Sequence, residues 1–459
     1  MFKKLFLPVT FLFLSVLPAQ AQEAAQKSLS VTVYNQNLGV IRDVRRLHVN
    51  SGQSEISIRD VAQLIDPTSV HINLQGEVLE QNYQYDLVSM EKILQKYLDQ
   101  NIQLIGEKDE LLEGRLLSAQ GSQIVLLKKD GGLIMLPNTE KYRISVGSLP
   151  EGLITRPTLV WTVKAPSAKD QDVEVSYQTA GMNWHAEYVA VLNENDTKIS
   201  LNSWVSIENQ SGTAYKNASL KLVAGNLNLI SQRQPGPVFR KEVTDLAATS
   251  VQQFQEREFF EYHIYDLERP ATLSNNESKQ ISLFQADNIN VTKKYLYRSG
   301  FPYYSYGQQN QKPKVAVAVE FENTQKNNLG LPMPAGKVRV YKSDGKTVEF
   351  VGEDMIDHTP KDEKIKLKIG DAFDIVAEET QTDNVRISDK VYEQAYEIKL
   401  RNRKKEDVTV DVERLLGLNW EILSSSIEYQ KKDAQTVTFK VPVKKNEETV
   451  LKFRVRYAY

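Results

Sequence analysis

The sequence contains no cysteine, and this absence excludes several kinds of chemistry. Thiol catalysis, cysteine-ligated zinc and disulfide cross-links are excluded, as is the lipid-modified cysteine that anchors bacterial lipoproteins. An excess of positive charge is also missing, since 57 lysines and arginines stand against 59 acidic residues. Because the chain has no overall positive charge, we predict that it does not bind nucleic acid. Its stability must come from the burial of apolar side chains.

A long apolar run is found only at the start of the chain. Lys3-Lys4 precede an apolar stretch, Leu5–Leu17, and Ala19-Gln20-Ala21 then supplies the small residues of a signal-peptidase site. This stretch is too short to cross a bilayer as a helix, which takes about 20 residues. We therefore predict a signal peptide over 1–21. The mature chain, from about Gln22, is then exported to the periplasm or cell surface, with no transmembrane span and no lipid anchor.

The length of 459 residues exceeds what one hydrophobic core supports, so we expect several domains. Alternation of apolar and polar residues predicts an N-terminal β-module over 22–85. Between Asp86 and Asp99 the apolar residues stand three and four apart, which is the spacing of one helix face. Five short apolar runs follow this helix. We interpret 86–150 as a helix plus a small five-stranded barrel of the Sm-like or SH3-like kind.

Strand patterns separated by Gly, Asn and Pro continue from residue 151 to the C terminus. We predict a central β-sandwich region over 151–385, interrupted by a polar, glutamine-rich mobile loop over 231–260. A C-terminal immunoglobulin-like β-sandwich is predicted over 386–459. The predicted fold class is therefore mainly β, with several immunoglobulin-like sandwich modules and a small barrel insert that carries one helix.

Several segments resemble a bacterial family known as domain of unknown function 4139, which includes mucoidy-inhibitor-A-like proteins. The segments that carry the resemblance are Val33-Tyr34-Asn35-Gln36-Asn37-Leu38, Tyr177 to Tyr188, Val205 to Gly225, Tyr262-His263-Ile264-Tyr265, Leu331-Pro332-Met333-Pro334-Ala335-Gly336, Arg339-Val340-Tyr341, Phe350-Val351-Gly352-Glu353-Asp354 and Gly370-Asp371-Ala372-Phe373-Asp374. The resemblance implies an exported or envelope-associated, β-rich protein of unknown activity. Longer members carry a helical coiled-coil insert where this chain has the single helix and barrel-like block.

One polar cluster is a candidate metal site. Glu353-Asp354 is followed by Asp357 and His358, and carboxylate and imidazole groups can coordinate a divalent ion that activates water. The alternative is a turn before Pro360, in which the same side chains bond to the backbone. We favour the turn and predict no cofactor. Asp354, Asp357 and His358 remain the candidate metal ligands.

An aromatic tract around Gly300 is a candidate ligand-binding segment. Exposed aromatic rings can stack on sugars or anchor a protein partner. The alternative is a strand containing Tyr295 and Tyr297, followed by a loop whose rings lie back on the sandwich, and we favour this alternative. The candidate ligand-binding residues are Tyr297, Phe301, Tyr303, Tyr304 and Tyr306.

Established catalytic motifs are missing from the sequence. There is no Gly-x-Ser-x-Gly elbow, no glycine-rich phosphate loop and no His-Glu-x-x-His zinc motif. We therefore predict a non-catalytic binding or structural protein of the cell envelope, whose unidentified partner is an envelope protein or a glycan. The alternative is a metal- or carboxylate-dependent hydrolase of envelope polymers, with Asp354, Asp357 and His358 as its first ligands, and the sequence leaves the question of catalysis open.

Overall fold

The computed structural model describes residues 25–107, 110–225, 227, 253–300, 314–417 and 419–458. Within these ranges the chain consists mainly of β-strands, with one α-helix, which confirms the mainly β fold class. The predicted signal peptide lies outside the described residues. Among the residues that are described, no helix has the length and apolarity needed to cross a membrane.

The chain divides into two compact units. Unit 1 comprises Met1–Leu29 and Ile41–Tyr177, and unit 2 comprises Ser30–Val40 and Gln178–Tyr459. The chain therefore crosses between the two units three times, and each crossing lies within a β-strand. The five-part division predicted from the sequence stays a prediction.

The first part of the chain extends to residue 179 and contains the elements up to the third crossing. In chain order they are β1 (Ala25–Tyr34), β2 (Gly39–Val49), β3 (Gly52–Arg59), a 3₁₀ turn (Pro67–Ser69), β4 (His71–Asn73), β5 (Glu77–Gln84), α1 (Met90–Lys96), β6 (Asn101–Ile105), β7 (Leu111–Gln120), β8 (Gln123–Leu127), β9 (Leu133–Leu136), β10 (Arg143–Ser145), β11 (Thr158–Ala165) and β12 (Lys169–Thr179). β11 lies between β3 and β5 in a three-stranded sheet. As a central strand it is apolar on both faces, and its Trp161 is fully buried.

The predicted helix and the five strands after it are present. Ser89 caps α1 by accepting a hydrogen bond from the backbone of Lys92 at 3.2 Å. The helix is shorter than the predicted 86–99 because Ser89 is extended and the backbone N–H of Val88 bonds to the carbonyl of Ile154. Strands β6 to β10 form an antiparallel sheet in the order β10-β6-β7-β8-β9, with Leu94 from α1 in its core. β9 and β10 are the two edges of this sheet. Hydrogen bonds among the described residues do not close it into a barrel.

The remaining elements belong to unit 2. In chain order they are β13 (Met182–Leu192), β14 (Lys198–Asn209), β15 (Tyr215–Ala224), β16 (Phe254–Phe259), β17 (Tyr262–Leu267), β18 (Ala271–Leu273), β19 (Glu277–Asn290), β20 (Thr292–Ser299), β21 (Ala316–Glu322), a 3₁₀ turn (Gln325–Asn327), β22 (Gly336–Ser343), β23 (Val348–Ile356), β24 (Lys364–Asp371), β25 (Ile375–Ser388), β26 (Val391–Asn402), β27 (Val408–Leu415), β28 (Trp420–Ser425), β29 (Tyr429–Lys431), β30 (Thr436–Val443) and β31 (Glu448–Ala458).

Two sheets of unit 2 pack on each other as a β-sandwich. One has the order β24-β21-β20-β27-β30-β29 and the other the order β25-β26-β31-β28. Their inner faces share one apolar core, in which the ring of Phe453 lies 5.3 Å from Tyr396 and 5.2 Å from Phe439. The predicted boundary at residue 386 falls inside β25. The sandwich therefore also contains strands that precede this boundary, beginning with β20.

Two further groups of strands position the candidate site. A five-stranded sheet has the order β19-β14-β13-β22-β23, and β13 and β22 run parallel, with Ala186 opposite Gly336. The second group contains the end of β1, which pairs in parallel with β15, and β15 pairs with β17, which pairs with β16. Most of the predicted loop 231–260 lies outside the described residues, but Phe254–Phe259 at its end is strand β16. The last part of the predicted loop is therefore a strand, because its backbone pairs with β17 in an antiparallel hairpin.

Candidate functional site

The aromatic tract does not form a site among the described residues. Tyr295 and Tyr297 lie in β20, and Tyr297 is only 1% exposed within the sandwich core. The predicted ligand-binding residues Phe301, Tyr303, Tyr304 and Tyr306 lie outside the described residues. The alternative, a strand containing the first two tyrosines, agrees with the structure.

The candidate metal ligands are not brought together as a ligand set. The carboxylate of Asp354, in β23, accepts hydrogen bonds from the backbone N–H of Lys368 at 2.6 Å and of Met355 at 2.9 Å. Asp357 lies after β23, and its backbone carbonyl accepts a bond from the Thr359 hydroxyl at 2.7 Å. The part of the chain that is described holds no group of three acidic or histidine side chains that could bind a metal ion. The Asp354 carboxylate therefore bonds to the backbone, as the turn interpretation expects, whereas the contact of Asp357 is made by its main chain.

The segment Leu331–Gly336 is held in place by buried polar side chains. The hydroxyl of Tyr188 donates to the carbonyl oxygen of Pro334 at 2.7 Å, and that of Tyr265 donates to Pro332 at 3.1 Å. The amide of Asn323 donates to the carbonyl of Leu331 at 2.8 Å. Burial raises the pKa of Tyr188 and of Tyr265 well above the ordinary value, so both hydroxyls keep their protons and stay donors.

His358 lies beside this segment. Its Nδ1 accepts a hydrogen bond from the backbone N–H of Ala335 at 3.1 Å, and its Nε2 lies 3.3 Å from the side-chain amide of Asn35. Desolvation lowers the pKa of His358, with a smaller contribution from His263, while the Asp357 carboxylate opposes the shift. The ring is therefore neutral near pH 7, and with Nδ1 accepting, its proton is on Nε2.

A neutral His358 with its proton on Nε2 needs an acceptor on Asn35. The Oδ1 atom of Asn35 is buried and has no hydrogen-bond partner among the described residues. A half-turn of the Asn35 amide places this oxygen opposite Nε2–H and satisfies both groups. Asn35 and His358 therefore form a side-chain pair that depends on the protonation of the imidazole.

Two aromatic residues, Tyr34 and Tyr262, extend the surface formed by Asn35 and His358. Tyr262 packs over Gly225, where an added Cβ would lie 2.4 Å from the Tyr262 ring. Burial, together with the neighbouring Tyr262, raises the pKa of Tyr34. We call Tyr34, Asn35, Tyr262, His263 and His358 the motif surface, because most of these residues come from the segments that carry the family resemblance. All five are at least partly exposed, so the surface can contact a partner.

The hairpin of β16 and β17 extends the motif surface. Phe259 pairs with Tyr262 across a two-residue turn, and the ring centroids of Phe260 and Tyr262 are 6.2 Å apart. His263 Nδ1 lies 2.7 Å from a carboxylate oxygen of Glu256 on the facing strand. Phe259 and Phe260 are 57% and 85% exposed. Neither ring was among the predicted site residues because the polar composition predicted a loop here, although two adjacent phenylalanines in a polar stretch were a usable signal.

A family model described as "Domain of unknown function (DUF4139)" matches residues 173–459, which is more than half of the chain. The chain belongs to the DUF4139 family. This confirms the resemblance inferred from the distributed motifs. A search of curated proteins found no match. The DUF4139 region contains β13 to β31, and with them three of the five residues of the motif surface, while Tyr34 and Asn35 come from β1 and the turn that follows it.

A polar cleft of about 810 Å³ also lies in the DUF4139 region. Its lining includes Lys294 and Glu320, and the Glu320 carboxylate lies 2.6 Å from Lys294 Nζ and 3.2 Å from Lys366 Nζ. Although burial opposes the shift, hydrogen bonds from these two lysines lower the pKa of Glu320, which therefore stays ionised. The charges that line this part of the cleft compensate one another, and we do not assign it a ligand.

Proposed function

We propose that this DUF4139 protein is an exported component of a bacterial cell envelope and acts by binding a partner through the motif surface, without a catalytic step. The proposal is supported by the hydrogen bonds that buried polar side chains form with the backbone of Leu331–Gly336. The hydroxyls of Tyr188 and Tyr265 and the amide of Asn323 all donate to backbone carbonyls of this segment. They hold the backbone and are not available to a substrate.

A fixed backbone favours binding. Ordering a loop when a partner arrives reduces the binding free energy, and a segment already held by buried hydrogen bonds avoids that loss. Ala335 presents its N–H to His358 from such a held segment. The motif surface is therefore a preformed surface that combines aromatic rings with polar groups, as protein-binding surfaces commonly do.

The proposed export depends on the N-terminal sequence. Lys3-Lys4, the apolar run Leu5–Leu17 and the small residues before Gln22 support a signal peptide. The test is N-terminal sequencing of the protein recovered from cell fractions. A chain that begins at about Gln22 in the periplasmic or surface fraction agrees with the proposal, and an uncleaved chain in the cytoplasm contradicts it.

A matched pair of histidine variants tests the binding function. His263 and Glu256 lie 2.7 Å apart on the hairpin, and His48 and Asp170 lie 2.7 Å apart in unit 1. We expect the mature chain to show saturable binding to an envelope protein or glycan, which His263→Ala weakens at least tenfold and His48→Ala leaves unchanged. Equal effects of the two variants, or no saturable binding to envelope fractions, would overturn the proposal.

Two finer features of the fold are also proposals. The five-stranded sheet after α1 is a meander whose last strand returns beside its first, and this order supports an Sm-like or SH3-like module. The two packed sheets of unit 2 with one shared core support an immunoglobulin-like sandwich. No specific contact among the described residues favours the hydrolase alternative.

A further inference from the structure

The turn of the β16–β17 hairpin has an unusual residue in a left-handed backbone conformation. Twelve non-glycine residues of the described chain have a positive φ, and eleven of them are asparagine or aspartate. The twelfth is Phe260, with φ 57°. Asparagine and aspartate tolerate this conformation because their short side chains bond locally, whereas a bulky side chain is strained there. Stability of the fold therefore does not explain the phenylalanine.

Solubility does not explain it either. Phe260 is 85% exposed, and its neighbour Phe259 is 57% exposed, so the tip presents two adjacent apolar rings to solvent. The guanidinium of Arg257 lies 5.5 Å from the centroid of the Phe259 ring and is itself bound to Asp266 at 2.8 Å. A residue that is both strained and exposed indicates a role in contact with another molecule.

The charges around the rings indicate what kind of molecule this is. Glu258 and Glu261 flank the two phenylalanines, both are exposed, and neither forms an ion pair with a described residue. The basic residue nearest in sequence, Arg257, is paired with Asp266, which also lies 3.5 Å from Lys221. Glu258 and Glu261 have no such partner among the described residues. The tip therefore carries net negative charge around an apolar centre, which opposes binding to an anionic lipid surface and matches a basic rim.

We propose that the Phe259–Phe260 tip inserts into an apolar pocket, rimmed by lysine or arginine, on a partner protein. This inference deepens the proposed function and rests on it, because it specifies the partner of the motif surface. Aromatic anchors in desolvated pockets carry much of the energy of protein interfaces, and the flanking carboxylates supply orientation and association rate. The ring of Phe260 serves only in the bound state, and this role explains why a strained residue is kept at the tip.

The first experiment places a photo-crosslinking phenylalanine at position 260 of the mature full chain and illuminates it with isolated envelope fractions. A matched control carries the same group at position 85, since Tyr85 is an aromatic residue that is 67% exposed in unit 1. We expect a saturable crosslink to one protein from position 260 and not from position 85. The crosslinked peptide of that protein should be apolar with lysine or arginine beside it. Crosslinking only to a second copy of this chain, or to no protein, would overturn the proposal.

The second experiment uses the purified crosslinked protein as the probe. Phe260→Asn should weaken its binding at least tenfold, while the melting temperature of the variant rises by about 2 °C because the strain is relieved. Glu261→Lys should weaken binding several-fold, most strongly at low salt. Flotation of the chain with phosphatidylcholine or phosphatidylglycerol vesicles that depends on Phe260 would overturn the proposal in favour of a lipid surface.

The two proposals fail in different ways. If His263→Ala abolishes binding of the partner but Phe260→Asn does not, the proposed function stands and the insertion of the tip is wrong. If neither substitution affects any saturable binding, the proposed function itself is wrong.

Discussion

Removal of the Tyr188 hydroxyl tests whether buried hydrogen bonds hold the segment Leu331–Gly336. In Tyr188→Phe the ring is kept, together with its packing against Phe284, whose centroid lies 6.2 Å away. The change deletes one donor at 2.7 Å from the carbonyl oxygen of Pro334. The variant therefore removes the hydroxyl that bonds to Pro334 without opening a cavity, and it also removes the weaker interaction of this hydroxyl with Ser203.

The expected loss of stability follows from burial. Tyr188 is 0% exposed, so water does not replace the lost donor, and the Pro334 carbonyl is left without this partner. An unsatisfied buried acceptor costs about 1–3 kcal/mol. Tyr265→Phe is the matched control, because its hydroxyl donates over a longer distance of 3.1 Å to Pro332, and we expect a loss of about 1 kcal/mol or less.

The measurement is urea unfolding of the mature chain, followed by near-ultraviolet circular dichroism, with hydrogen exchange of the Leu331–Gly336 backbone as a local readout. Loosening of this segment also weakens the bond from Ala335 N–H to His358 Nδ1, which favours the neutral imidazole. The pKa of His358 should therefore rise toward its ordinary value in Tyr188→Phe, which proton NMR measures directly.

A stabilising role of the Tyr188 hydroxyl is contradicted if the stability of Tyr188→Phe lies within about 0.5 kcal/mol of the wild type and exchange at Leu331–Gly336 is unchanged, since surface substitutions typically stay within this range. A loss from Tyr265→Phe that exceeds the loss from Tyr188→Phe would also contradict it. In that case the shorter and more deeply buried bond would not be the one that holds the segment.

Three further predictions concern other parts of the chain. Gly336→Ala should destabilise unit 2 by about 3 kcal/mol in chemical unfolding, because the added Cβ would lie 2.0 Å from the carbonyl oxygen of Ala186, and an unchanged midpoint would contradict this. The stability advantage of wild type over His358→Gln should be present at about pH 7 and shrink as the pH falls toward about 5. The lowered pKa of His358 means that the unfolded chain takes up the proton first, and an advantage that grows in acid would contradict the prediction. Leu126→Ala should cost about 2–5 kcal/mol in unit 1, because Leu126 is fully buried in the core beneath α1, and a loss below about 1 kcal/mol would argue against that core.

Local sequence patterns predicted many of the strands, the helix and the family of this protein. Alternation of apolar and polar residues predicted strands such as β6 to β10 because a strand with one buried face shows this period regardless of what covers it. The spacing of apolar residues between Asp86 and Asp99 predicted α1 for the same reason, although the cap at the extended residue Ser89 and the bond from Val88 to Ile154 shortened it. The distributed motifs also predicted the family that the match over residues 173–459 confirms.

The candidate site could be predicted only in part. His358 was singled out for its neighbours in sequence, Asp354 and Asp357, but its contacts are Ala335 and Asn35, and Asn35 is 323 residues away along the chain. Periodicity contains no information about such pairs. The hairpin tip was missed because a polar strand at the edge of a sheet has the composition of a loop.

By itself the sequence determined the mainly β fold class, the positions of most strands, the family and the expectation of export, since these depend on local composition and spacing. The tertiary structure decided that Leu331–Gly336 is held by Tyr188 and Tyr265, that Asp354 bonds to a neighbouring strand and that Phe260 adopts a left-handed conformation at an exposed tip. The physical reason is that hydrogen-bond partners and solvent exposure are set by which distant strands become neighbours, and strand neighbours are chosen by the packing of the whole unit.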